Sequence, residues 1–263
     1  MFNFIYRSRF GICLFATGIF LLVSAHASLG QNGWTKKKGE MYSKLYVING
    51  ESDNYFNLEG VKTTTQEFTQ VIGGLYLEYG ISERLTLITN WPFIKHQYFN
   101  NTEKITGIGD LPLGIKYGLI KGTFPVSLGV TAEIPIAKSD NFARNLEQTN
   151  FIDQINLPTG DGEWNFRLTA AGSHSFNNAP FPVFISLFST LNYRTEYAGI
   201  NFSHQLNSGM GLGANIFNKK IWLELGISAQ QSLGESEQVD FVRGEGTEFT
   251  SYSISSSYVI NSN

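Results

Sequence analysis

The sequence predicts an all-β fold: a transmembrane, antiparallel, up-and-down β-barrel of about ten strands. Three observations lead there. The chain after residue 30 alternates apolar and polar residues with period 2, the strand signal rather than the helix signal. The alternating segments are long enough to cross a bilayer, which takes about 9–11 residues per tilted strand, whereas ordinary strands average about 5–6. Short and long connections then follow one another in strict alternation, as short periplasmic turns and long outer loops do.

The segments lie near Glu40–Asn49, Phe68–Ile81, Arg84–Lys95, Gly109–Ile120, Pro125–Ala137, Glu163–Phe176, Pro182–Arg194, Ser208–Asn218, Lys220–Gln230 and Glu248–Ile260. Tight turns are read at Ser82-Glu83, Lys121–Phe124, Asn177–Phe181 and Lys219. Between them run the polar links Gly50–Glu67, His96–Ile108, Lys138–Gly162, Thr195–Asn207 and Ser232–Thr247. In Lys138–Gly162 the spacing of Phe142, Leu146 and Ile155 suggests a short loop helix.

The two faces of each strand differ in kind. "GIGDLPLGIKYGLI" (Gly107–Ile120) sets Leu111, Leu113, Ile115, Tyr117 and Leu119 against Asp110, Pro112, Gly114, Lys116 and Gly118. Pro125–Ala137 sets Val126, Leu128, Val130, Ala132 and Ile134 against Ser127, Gly129, Thr131 and Glu133. A face of Gly, Ser and Thr with few charges suits a narrow barrel interior better than a water-exposed sheet. Pro112 lacks a ladder donor and has interior parity, so it marks a bulge or an unpaired stretch. Tyr79, Tyr117, Phe176 and Tyr258 fall near the turn ends; Trp91, Phe93, Trp164, Phe166 and Tyr193 fall near the loop ends. Two such bands are expected at the two membrane interfaces.

Composition agrees. Charged residues make up 16% of the 263-residue chain and aromatics 14%, with 27 glycines; about 25% charge is usual. With 19 Lys plus Arg against 22 Asp plus Glu there is no basic stripe for nucleic acid. Residues 1–30 have the form of a secretory signal peptide: Arg7 and Arg9, the apolar core Phe10–Val23, then small residues ahead of Gln31. The core is short for a helical span of about 20 residues. The barrel domain is therefore read as residues 31–263. The single cysteine, Cys13, lies in the leader, so the exported part has no disulfide and no thiol chemistry.

Interior parity gathers Lys44, Glu78, Asp110, Lys116, Glu133, Arg167, Arg194 and Glu224. Both signs are present, which suits a network of lumenal ion pairs, a polar path for a permeant, or both. No catalytic residue, cofactor or metal site is expected. His96, His174 and His204 lack a neighbouring nucleophile and acid, and no His or carboxylate pair has ligand spacing. A hydrolase would need His96 beside an inward carboxylate or serine.

Two segments go beyond pattern. "GIGDLPLGIKYGLI" resembles the G-x-G-D-x-x-L-G-x-K-Y motif of an outer-membrane transporter family named for the meta-pathway of phenol degradation, at Gly107, Gly109, Asp110 and Lys116. "LPTGDGEWNFRL" (Leu157–Leu168) resembles that family's L-P-T-G loop, at Pro158, Thr159 and Gly160. "EYGISERLTLITNWPF" (Glu78–Phe93) looks like its hairpin, and "LNYRTE" (Leu191–Glu196) is a fainter echo. The resemblance implies an outer-membrane barrel, with membrane lipid and small solutes as partners, passing hydrophobic or aromatic molecules passively. It brings no catalytic residues. The family looks longer by about one hairpin, and this sequence ends at "YVINSN" without the usual terminal aromatic. The expectation is therefore a ten-stranded closed barrel, or a twelve-stranded one whose last hairpin is missing. The competing expectation is a surface barrel with a closed lumen whose loops bind a partner.

Overall fold

The computed structural model describes residues 31–56, 61–147, 154–176, 181–216, 221–234 and 248–258. Residues 1–30, read as the leader, lie outside them, as does the turn expected at Lys219. Ten long strands are β1 (Met41–Phe56), β2 (Lys62–Gly80), β3 (Leu85–Phe99), β5 (Leu111–Ile120), β6 (Val126–Ile134), β9 (Asn165–Phe176), β10 (Val183–Arg194), β11 (His204–Ile216), β12 (Ile221–Leu233) and β13 (Phe249–Tyr258). Three short ones, β4 (Ile105–Gly107), β7 (Phe142–Arg144) and β8 (Gln154–Asn156), belong to the long links. The long strands pair in chain order, each antiparallel to the next, as a meander. Each read segment has its strand.

Two expectations need correction. Phe142 and Ile155 do not share a helix: they sit on β7 and β8, where Ala143 pairs with Ile155 and Phe142 with Asn156. Facing strands bring apolar residues together as readily as a helical turn does, and spacing alone cannot separate the two. The second concerns closure. Among the described residues β1 pairs only with β2 and β13 only with β12, so the sheet is a curled, open half-barrel. It curls far enough that Tyr42 and Lys44 on β1 lie within electrostatic reach of Glu224 on β12.

Burial follows the alternation. Along β5, Leu113, Ile115, Tyr117 and Leu119 are exposed, while Pro112, Gly114, Lys116 and Gly118 are buried. The exposed residues meet their like across strands: Ile115 pairs with Leu87 and Val130, Val130 with Leu168, and Leu168 with Leu191. This makes a continuous apolar outer surface, larger than soluble monomers tolerate. Its opposite is a polar interior: Thr86, Ser127, Ser173, Ser186, Thr190 and Asn192 are all buried. Pro112 is accommodated because the β3–β5 ladder stops at Thr89 and Leu113, one residue short of it. The Thr89 hydroxyl donates to the Pro112 carbonyl at 2.6 Å.

Candidate functional site

The inner face of the sheet carries three groups of charge. Glu78 on β2 accepts from Lys116 Nζ on β5 at 2.7 Å, from the Tyr76 hydroxyl at 2.7 Å, and lies 3.4 Å from Lys36 Nζ. Glu133 on β6 accepts from Arg167 of the adjacent β9 at 2.9 Å. Arg194, closing β10, donates through Nε to Glu163 at 2.5 Å and lies over the Phe202 ring. Buried charges of this kind persist only when paired and hydrogen-bonded. Lys44 and Glu224 face the interior half-buried on opposite margins of the sheet.

Asp110 differs from the others. Among the described residues its carboxylate forms no ion pair; it accepts from the backbone amides of Ala137 at 2.9 Å and Asp161 at 2.8 Å. Here the two motifs of the sequence interlock. A Cβ on Gly160 would fall 2.5 Å from both Asp110 carboxylate oxygens, so only glycine leaves room for that clasp. Gly107 packs the same way against Thr159, whose Oγ1 would lie 2.9 Å from an added Cβ. The Pro158 carbonyl accepts from Gln97 Nε2 at 2.7 Å, and the Thr159 and Gly160 amides both donate to the Lys138 carbonyl. Gly109 donates to the Pro92 carbonyl at 2.7 Å and accepts from the Trp91 indole at 3.1 Å. The loop 157–163 is thus folded onto the loop end of the sheet.

This rim holds two further acids that spacing did not reveal. Asp110, Glu133 and Asp161 present carboxylate oxygens within 4.8 Å of one another. Backbone amides hold the first and Arg167 the second. Burial raises Asp161 above the usual carboxylate range. Burial also pushes Glu163 up to about 7, against the opposing pull of Arg194. Glu163 was read as the first residue of a strand; its partnership with Arg194, 31 residues away, carries no local signal.

Between rim and turns lies a cavity of about 150 Å³. Tyr76, Ile88, Pro112 and Ala171 give it apolar walls; Asn90, Thr131, Thr169, Thr190, Lys116 and Arg167 give it polar ones. The histidines do not join it. His96 Nδ1 lies 2.7 Å from the Thr106 hydroxyl, and among the described residues no carboxylate bonds to it. His174 stacks on Phe124 at 4.1 Å, and His204, opening β11, lies against Tyr193. None forms a triad.

Among solved structures, an outer-membrane channel resembles this fold across most of both chains. The COG4313 outer membrane channel from Pseudomonas putida F1 aligns with a TM-score of 0.56 and 17% identity, over 86% of this chain and 85% of that one. The chain has the fold of an outer-membrane channel. The NanC porin aligns at a TM-score of 0.39 and 11% identity over 84% of this chain and 97% of that one. No family model and no curated protein matches the chain.

Proposed function

We propose that this chain is a bacterial outer-membrane channel through which small solutes pass passively, after removal of residues 1–30 as an export leader. One observation carries the reading: a sheet with a continuous apolar outer surface encloses a polar, charge-paired interior. Water-soluble sheets do not expose such a surface, and lipid-facing barrels do. In lipid the two free edges close the sheet into a barrel, because unpaired backbone groups there are costly. The electrostatic reach from Lys44 to Glu224 supports that closure.

The inward charges Lys44, Glu78, Asp110, Lys116, Glu133, Arg167, Arg194 and Glu224, four of each sign, keep the interior polar and near neutral overall. The cavity suits solutes of single-ring size, since a cavity of about 150 Å³ accepts benzene. Its mixed walls favour a ring or short chain bearing a hydroxyl or carboxylate over a pure hydrocarbon. The likeness of both motifs to the phenol meta-pathway family supports an aromatic member of that class. Geometry of the histidines favours transport over hydrolysis.

The test is flux into proteoliposomes containing the purified protein. Uptake of phenol and benzoate, not saturating and independent of any gradient of another solute, is expected. Vesicles as tight as protein-free ones toward every small solute would overturn the reading in favour of a closed surface barrel.

A further inference from the structure

The interior charges balance in number but not in how they face the cavity. Lys116 and Arg167 line it, and among the described residues no carboxylate does. Their acid partners stand back from it. Lys116 Nζ is drawn onto Glu78 at 2.7 Å, with both side chains buried. The pair between β6 and β9 is uneven: the Arg167 side chain is 34% exposed and that of Glu133 14%. An ion pair set this way is a dipole with its positive end toward the lumen.

Arg167 also has donors to spare. Register places it directly across from Thr131 on β6 and Asn192 on β10, with Glu133 diagonally beyond Thr131. Its Nη2 donates to Glu133 at 2.9 Å, and among the described residues its Nε and Nη1 donate to nothing. A guanidinium carries five N–H donors in a planar fork that matches a carboxylate with two parallel bonds. Toward the turn end Arg167 is followed by the small residues Ser127, Gly129 and Thr169, which leave space for a ring. Asn90, also in the wall, accepts through Oδ1 from the Tyr46 hydroxyl at 2.8 Å, so its amide nitrogen remains a donor. The acids at the loop end are offset: Lys95 lies within electrostatic reach of Asp110 and Asp161, and Arg194 of Asp161.

Building on the channel reading, we propose that Arg167 makes this part of the lumen anion-selective, and that the solute class is the single-ring carboxylate. The carboxylate of such a solute meets the open guanidinium fork while its ring lies against Ile88, Pro112 and Ala171. A cation of the same size meets the positive ends of two dipoles. Arg and Lys lining a pore select anions, and low-dielectric walls strengthen their field.

The test is the reversal potential of the purified protein in planar bilayers under a concentration gradient. Potassium chloride is used first, then potassium benzoate and benzylammonium chloride, an anion and a cation of matched size. The unaltered protein should pass the anions at least about threefold more readily than the cations, as a pore lined by Arg and Lys does. Arg167→Gln should bring that ratio to one or below, Arg167→Lys should keep it, and Glu133→Gln, which frees the whole guanidinium, should raise it. A ratio of one or below in the unaltered protein, or an equal ratio in Arg167→Gln, overturns the anion site and leaves the channel standing. Should Arg167→Gln fail to insert, Glu133→Gln decides, and a ratio that does not rise is the overturning result. An unaltered protein that conducts nothing overturns the channel reading, and the solute class with it.

Discussion

The two ends of the lumen solve one problem by different chemistry. At the loop end, 157–163 is locked inward by a carboxylate on two backbone amides and by a buried Arg–Glu pair. At the turn end, 31–39 rests on the wall through hydroxyls, glycines and an ion pair with a spare partner. Removing Arg194 or Asp110 at the rim strands buried charge or backbone amides, whereas removing Lys36 at the mouth leaves Glu78 held by Lys116 and Tyr76. The rim is held by buried charge and backbone amides, the mouth by hydroxyls and a partly exposed ion pair.

The largest expected effect is at the rim. Arg194→Met leaves Glu163 buried without its cation and should cost about 3–5 kcal/mol at pH 8, read by urea titration in detergent micelles. Asp110→Ala comes next, at about 1–3 kcal/mol for each amide left without an acceptor. If either substitution is as mild as one at the mouth, the contrast between the two ends fails.

Titration sharpens the contrast further. Glu163 has a folded pKa raised to about 7. For a carboxyl raised in this way the proton is held more tightly when folded. The stabilisation is complete below the ordinary carboxylate range, and it is lost as pH rises through about 7. The protein should therefore be more resistant to urea at pH 5 than at pH 8, and Glu163→Gln should flatten that difference. A wild-type profile that instead strengthens from pH 5 to pH 8 would show Glu163 to be an ordinary ionised partner of Arg194. The smallest effect belongs to Lys36→Met, below about 1 kcal/mol, because Lys36 is partly exposed and Lys116 remains on Glu78.

Sequence pattern carried the strands further than the ends. Along β5 the alternation of Leu113, Ile115 and Tyr117 with Gly114, Lys116 and Gly118 is a local signal, and the burial follows it residue by residue. The motif residues were visible as words without a purpose. Asp110 finds backbone amides, which no side-chain pattern displays, and Gly160 matters for the Cβ it lacks beside a residue 50 positions earlier. The docking of residues 31–39 was invisible for a related reason: a short polar segment has no period, and the groups it meets are single glycines and hydroxyls on separate strands. The β7–β8 pair was misread because its apolar residues are close in sequence and equally compatible with a turn of helix.

The central claim is that one face of this sheet meets lipid and the other a polar lumen. Paired substitutions on β5 test it most directly, by measuring folding into lipid bilayers of Leu113→Arg and Gly114→Ser. The account predicts a penalty of about 2–4 kcal/mol for arginine on the outer face near mid-bilayer and little for serine on the inner face. Equal tolerance of the two, or a larger penalty for the serine, would contradict it.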